Sequence, residues 1–152
     1  MRRLLPIVLL LAACPPPYIG PRPPPPTCPG SCFLGMSGSD DCEGFGQAEA
    51  RIRATFPAPG CERLQHYRVR VYHPDGGSWV DPYGRKVAGL THCGGGVIEI
   101  GTDVWTQSAL AHEAVHALEC PAPNYDHLGW ADAGWNSTID RANQQPAPFL
   151  VR

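Results

Sequence analysis

The spacing of apolar residues along the chain predicts a mixture of helices and short strands. Ala48, Ile52 and Phe56 recur at every fourth position within the segment 47–56, which is the pattern of an amphipathic helix. The segment 67–72 instead alternates between apolar and polar residues, as a half-buried strand does. Helical and strand periods therefore both occur within a short stretch of chain.

Further elements are expected towards the C-terminus. We predict irregular strands within 79–91, a short strand at 97–101, a helix at 104–119 and a short closing helix at 137–144. Interspersed strands and helices of these lengths predict a small α+β domain with a short antiparallel or mixed sheet. About 120 residues remain once the N-terminal segments are set aside, which is enough for one hydrophobic core.

The N-terminus has the pattern of a signal peptide over residues 1–13. Two arginines precede an apolar run that is shorter than the roughly 20 residues of a membrane-spanning helix. The four residues Leu11 to Cys14 resemble a bacterial lipobox, which implies that Cys14 is lipidated and anchors the chain to a membrane. An ordinary signal peptide with an unmodified Cys14 is the alternative.

A proline-rich segment follows at residues 15–29. Proline fixes φ and lacks the amide donor, so this segment is expected to be an extended polyproline II spacer. We therefore divide the chain into a signal peptide (1–13), a lipidated cysteine with a tether (14–41) and a folded domain (42–152).

The net charge is −2 and charged residues are sparse. A nucleic-acid partner would require a basic patch or stripe, so we expect none. The chain is expected to be a monomer.

The cysteine count predicts a disulfide-braced domain. Seven cysteines are present, and lipidation of Cys14 would leave an even number, as expected for a small exported domain. A cysteine-based structural zinc site is the alternative, but the paired C-x2-C spacing is missing. The disulfide candidates are Cys28, Cys32, Cys42, Cys61, Cys93 and Cys120.

The strongest chemical signal lies in an otherwise apolar helix. His112, Glu113 and His116 form the H-E-x-x-H pattern within the apolar segment 109–118. The two histidines lie one turn apart on the same face, so both imidazoles can bind one ion, while the glutamate can reach a water on that ion. A chance occurrence of the pentapeptide is the alternative.

With this motif the chain resembles the zincin metallopeptidases over residues 97–130. The resemblance implies a small zincin-like domain in which H-E-x-x-H holds Zn²⁺ on an active-site helix. It also implies that the preceding strand, 97–101, lines the cleft and pairs with an extended substrate.

The resemblance requires a third ligand after the helix. The metzincin and gluzincin patterns do not fit, and His127 is the only histidine after His116. A loop histidine followed by an aromatic residue resembles the SprT-like and WLM-type zincins. An aspartate is the alternative ligand, which leaves three candidates: Asp126, Asp132 and Asp140.

The implied activity is zinc-dependent hydrolysis of peptide bonds, with Glu113 as the general base acting on a zinc-bound water. Tyr125 is a candidate for stabilising the oxyanion, and a packed loop tyrosine is the alternative. Asp126 and Glu119 are candidates for orienting a metal ligand.

These features together predict an exported lipoprotein of the bacterial cell envelope, periplasmic or surface-exposed, that is a zinc metallopeptidase. An amidase acting on cell-wall peptides would share the chemistry. The alternatives outside enzymes are a non-catalytic lipoprotein that binds zinc, and a disulfide-bonded surface module whose H-E-x-x-H is incidental.

Overall fold

The computed structural model describes residues 26–72, 79–81, 83–101 and 107–144. The helices within these ranges are α1 (Cys42–Thr55), α2 (Gly60–Leu64), α3 (Gln107–Glu119) and α4 (Trp135–Gln144). The strands are β1 (Cys28–Pro29), β2 (Gly35–Ser37), β3 (Arg68–Val71), β4 (Trp79–Val80), β5 (Lys86–Val87), β6 (Gly89–His92) and β7 (Val97–Ile100). The predicted α+β class is confirmed.

Five strands form one mixed sheet in the order β1-β2-β3-β7-β6. The pairs β2–β3 and β3–β7 are parallel, whereas β1–β2 and β6–β7 are antiparallel. Strands β4 and β5 form a separate antiparallel hairpin. The main sheet therefore has β1 at one edge and β6 at the other.

Helices α1 and α3 pack on one face of this sheet, and α2 and α4 pack against these two helices. Ile98 and Ile100 of β7 are fully buried in a core that includes residues of α1 and α3. The intervening residue Glu99 points to the opposite face, because successive side chains of a strand alternate. This two-layer arrangement places α3 against β6 and β7.

Helix α1 begins five residues before the predicted start at Gln47. The side chain of Asp41 caps the helix by accepting a hydrogen bond from the Gly44 amide at 2.9 Å. A disulfide at Cys42 also holds the first turn against β1. These contacts outweigh the low helix propensity of the two glycines near the start of the helix.

The six predicted cysteines form three disulfides, which confirms the disulfide-braced prediction. The pairs are Cys28–Cys42, Cys32–Cys61 and Cys93–Cys120. Bridges of this kind indicate an oxidising, extracytoplasmic compartment. Each closes a loop for which the chain-entropy model gives about 3–4 kcal/mol of stabilisation.

The first two disulfides include Cys28 and Cys32, so the folded domain begins closer to the N-terminus than the predicted boundary at residue 42. Residues 28–37, which the predicted boundary assigns to the tether, contain β1 and β2 of the main sheet. The folded part therefore begins well before Cys42. The signal segment and Cys14 lie outside the described residues.

A buried glutamate joins this N-terminal part to α1. Glu49 is 2% exposed and accepts hydrogen bonds from the backbone amides of Ser31, Cys32 and Phe33, all within 2.9 Å. The Ser31 hydroxyl donates a fourth bond. The carboxylate is thus saturated by the loop that it holds.

The predicted role of 97–101 as the substrate-pairing strand is wrong. Strand β7 already pairs with β3 on one side and with β6 on the other, so its backbone groups are taken. The edge strand next to α3 is instead β6, Gly89–His92. Among the described helices, none is long and apolar enough to cross a membrane.

Candidate metal centre

Helix α3 is buried along most of its length. Leu110, Ala111, Ala114 and Val115 are at most 1% exposed and form part of the core. The other side of the helix faces a cleft of about 410 Å³. The polar residues His112, Glu113 and His116 line this cleft.

The structure brings the three predicted histidine ligands together. Single ring nitrogens of His112, His116 and His127 all lie within 4.8 Å of one another. The Nε2 atoms of His116 and His127 are 3.2 Å apart. Two nitrogen ligands about 2.05 Å from a tetrahedral zinc ion would be about 3.3 Å apart. The spacing of this pair is therefore compatible with two ligands of one metal ion.

The histidines are held in the neutral form that binds metals. Burial lowers the pKa of His112 to about 4, with a further contribution from His127. Burial, with the charges of His112 and His127, lowers the pKa of His116 to about 3. Burial, followed by the charge of Arg85, also lowers the pKa of His127. Neutral imidazole has a free ring nitrogen for a metal ion.

His127 lies in a tight loop with an unusual backbone conformation. Its φ is +58°, a left-handed value that is uncommon for a residue other than glycine. The loop is held by bonds from the His127 amide to the Asn124 carbonyl and from the Trp130 amide to the His127 carbonyl. Backbone strain of this kind costs about 1–3 kcal/mol and is concentrated at functional sites.

Glu119 supports both the helix and the loop. Its carboxylate accepts bonds from the Asn124 amide and the Trp130 indole, each at 2.9 Å. The Nδ1 atom of His116 is buried without a hydrogen-bond partner and lies 3.8 Å from the same carboxylate. A small rotation would complete the carboxylate–histidine pair that commonly orients a metal ligand.

Glu113 lies beside the histidines against strand β6. It is 7% exposed, and its carboxylate accepts a bond from the Thr91 hydroxyl at 2.9 Å. Burial raises the pKa of Glu113 to about 7, although the Thr91 bond lowers it. A Cβ atom at Gly89 would lie only 2.8 Å from Glu113 Oε1. The missing side chain at this position therefore leaves the space that the carboxylate occupies.

The loop before His127 is tied to the β4–β5 hairpin by Arg85. The guanidinium pairs with the buried carboxylate of Asp81 at 2.7 Å and with Asp126 at 2.9 Å. It also donates to the Tyr125 carbonyl at 2.8 Å. Asp126, the predicted rival ligand, thus faces Arg85 and lies outside the histidine cluster.

Tyr125 packs in the loop with its hydroxyl on the edge strand. The hydroxyl donates to the Thr91 carbonyl at 2.9 Å, and the ring lies 5.3 Å from that of His116. Burial raises the pKa of Tyr125, so the hydroxyl keeps its proton. Tyr125 is thus packed against the edge strand and His116, and it also lines the cleft.

The other singled-out residues lie away from the cluster or play a packing role. Asp132 and Asp140 are exposed, and neither belongs to the histidine cluster. His92 ends β6 and contacts Glu99 at 2.9 Å. Trp130 is buried beside the three imidazoles.

Three residues that contribute to the site were not predicted from the sequence. Gly89, Thr91 and Arg85 have no motif of their own, and they reach the site only through the pairing of β6 with β7 and the fold of the hairpin. The sequence signal available for two of them was their spacing: residues two apart in a strand lie on the same face, which places Gly89 and Thr91 together.

Comparison with known proteins finds no matching family model, no similar curated protein and no similar solved structure. The arrangement itself can hold a divalent cation with three neutral nitrogens and place a carboxylate in the same cleft. The geometry of the cleft is therefore the basis for assigning a function.

Proposed function

We propose that this protein is a zinc-dependent peptidase of the bacterial cell envelope, exported and anchored through a lipid on Cys14. One observation carries the proposal: three neutral imidazoles converge in a cleft that also contains the carboxylate of Glu113. Three protein ligands with an open fourth position are typical of catalytic zinc, whereas structural zinc has four protein ligands.

The residues fit a zinc ion in several respects. The donors are all nitrogen, which suits zinc, and the spacing of the His116 and His127 nitrogens matches tetrahedral coordination. Glu119 lies where it can orient His116. The strained loop at His127 is explained if the position of its ring is selected for binding.

When bound, zinc would polarise a scissile carbonyl and lower the pKa of a water molecule to about 7. Glu113 is positioned to take the proton of the attacking water and to deliver it to the leaving amine. A carboxylate with a pKa near 7 exchanges protons readily at neutral pH. Thr91 holds one carboxylate oxygen, and the bare backbone of Gly89 gives the other room.

Substrate binding would use the edge of β6. Ala88, Gly89 and Leu90 line the catalytic cleft, and no strand covers this edge of the main sheet among the described residues. An extended peptide can add to such an edge through backbone hydrogen bonds. Peptide or protein is therefore the substrate class that the cleft favours.

The test compares Glu113→Gln with the unchanged protein, each loaded with zinc. We expect both to bind one zinc ion, because Glu113 is outside the ligand set, and the variant to hydrolyse synthetic peptides at least about 100-fold more slowly. His127→Ala should instead lose zinc. The matched control is His66→Ala, since His66 is exposed and outside the cluster.

The possible outcomes separate the candidate functions. A protein that holds zinc but cleaves nothing would be the non-catalytic zinc-binding lipoprotein. A protein that binds no zinc would leave only the disulfide-bonded surface module. Equal hydrolysis by the protein and its Glu113→Gln variant would contradict the role of the general base.

A further inference from the structure

Two cavities lie next to each other along the edge of β6. The catalytic cleft extends along its first residues, and a second cavity of about 480 Å³ lies between its last residues and the prolines after α3. Three residues line both cavities and so stand between them: Asp81, Leu90 and Tyr125. These three side chains, which we call the wall, therefore lie at the boundary between the two cavities.

The free backbone groups of β6 follow from its pairing with β7. The Gly101 amide donates to the Ala88 carbonyl at 2.9 Å, and bonded pairs alternate along an antiparallel ladder. Leu90 therefore directs its backbone groups to β7, whereas Gly89 and Thr91 direct theirs outwards. These outward groups are the ones that an added peptide strand would use.

The side chain of Tyr125 is already hydrogen-bonded to one of these outward groups. Its hydroxyl donates to the outward carbonyl of Thr91 at 2.9 Å. A peptide extending past Gly89 along the edge would need this carbonyl and would meet the tyrosine ring. The second cavity, beyond Thr91, is separated from the catalytic cleft by the same ring.

The tyrosine is held at both ends. While its hydroxyl is bonded to Thr91, its own carbonyl accepts a bond from Arg85 at 2.8 Å. Arg85 is in turn fixed by the buried Asp81 at 2.7 Å. These bonds resist displacement of the ring by a substrate.

We infer that Tyr125 sets the length of peptide that the cleft accepts. With the Thr91 end closed, the substrate chain has to end near the scissile bond on that side. The favoured substrates are then short peptides and chain ends rather than internal segments of a protein. This inference rests on the proposed function and narrows its substrate class.

The experiment uses zinc-loaded protein and a set of synthetic peptides of about 12 residues, which exceed the reach of the cleft at ~3.3 Å per residue. Cleavage positions are read by mass spectrometry, and the unchanged protein should cleave close to a chain end. Tyr125→Gly opens the wall, and we expect the ratio of internal to terminal cleavage to rise at least about 10-fold, or ~1.4 kcal/mol. Tyr125→Phe keeps the ring and should raise the ratio less.

The control is Tyr83→Ala, because Tyr83 is exposed, contacts Arg85 through its ring at 5.1 Å and lines neither cavity. Its cleavage ratio should be unchanged. The inference is overturned if the unchanged protein already cleaves internal bonds freely, or if Tyr125→Gly leaves the ratio as it was.

A binding measurement separates this inference from the proposed function. Peptides blocked at both ends cannot place a free chain end in the cleft. In a Glu113→Gln background, Tyr125→Gly should strengthen binding of a long blocked peptide about 10-fold relative to a short blocked one. If the zinc-loaded protein cleaves no peptide but Tyr125→Gly still strengthens binding of the long peptide, the peptidase function is contradicted and the role of Tyr125 is supported. If Tyr125→Gly does not change the relative binding of long and short peptides, the role of Tyr125 is contradicted.

Discussion

Two buried glutamates, one beside the N-terminal loop and one in the cleft, have very different surroundings. Glu49 accepts three backbone amides and a hydroxyl. Within the part of the chain that the structure describes, the carboxylate of Glu113 receives only the hydroxyl of Thr91. Both are nearly inaccessible to solvent. The first has the full set of donors that a buried carboxylate needs, and the second does not.

Under the proposed function, the difference distinguishes a carboxylate that holds the structure from one that exchanges protons. A saturated carboxylate holds its loop and has little capacity for a further partner. One with a vacant side and a pKa raised to about 7 can accept a proton from a molecule in the cleft. Substitutions at and around the buried glutamates test this contrast.

The largest effect is expected for Gly89→Ala. The added methyl group would lie 2.8 Å from Glu113 Oε1 and 3.1 Å from the Glu99 carbonyl oxygen, so the carboxylate has to move away from the strand. A displacement of about 1 Å can lower a rate about 100-fold, so we expect a fall of this size in kcat/KM with zinc still bound. Gly94→Ala is the matched control, since its methyl group would meet nothing within 4 Å. Equal activity of the Gly89→Ala and Gly94→Ala variants would show that crowding of the Glu113 carboxylate does not affect catalysis.

The next effect concerns the carboxylate behind the metal site. Glu119→Gln removes the charge that faces His116 Nδ1, and we expect zinc affinity to fall about 10- to 100-fold. Competition with a chelator measures this, with the exposed Glu62→Gln as control. An unchanged affinity would show that Glu119 only supports the Trp130 and Asn124 loop.

Glu49→Gln tests the structural side of the contrast. The amide places N–H groups where the loop amides also point, so the unfolding free energy should fall by about 2 kcal/mol. Denaturant unfolding with intact disulfides measures it. Glu113→Gln should change the same quantity by less than about 0.5 kcal/mol, because Thr91 can still donate to it. Similar losses in both variants would remove the distinction.

The smallest effect is a pH dependence at a third buried glutamate, Glu99. Burial raises its pKa, but bonds from His92 and Tyr72 and the charges of His92 and Arg70 outweigh burial, so the pKa is lowered below 4.5. A lowered folded pKa gives stability that is present above the unfolded pKa of 4.5 and is lost as the pH falls through the folded value.

The difference in stability between the unchanged protein and Glu99→Gln should therefore shrink on acidification below about pH 4.5. Thermal unfolding of both proteins between about pH 6 and about pH 3 measures this difference. A difference that stays constant over the range would show that the pairing of Glu99 does not contribute.

Local periodicity was sufficient to predict several elements. The alternation around Val69 and Val71 gave β3, and the spacing of Ala48, Ile52 and Phe56 gave most of α1. The two histidines of α3 were found for the same reason, because a spacing of four residues defines one helical face. The start of α1 was missed because its first turn depends on a disulfide and a cap.

Non-local pairing explains what the sequence did not reveal. Strand β6 is an edge only because β7 lies beside β3 in parallel, and periodicity carries no information on strand order. Gly89, Thr91 and Arg85 contact the site through that order. The number of cysteines predicted a disulfide framework, whereas their pairing required the fold.

The order of the main sheet also determines from which side the domain can be attached to a support. Strand β1, which lies just after the first described residue Pro26, is four inter-strand intervals from β6, or about 19 Å across the sheet. A bead, fusion partner or lipid surface joined ahead of this strand would be linked at the edge of the sheet opposite β6, which lines the histidine cleft. Immobilised protein should therefore remain open to dissolved peptides.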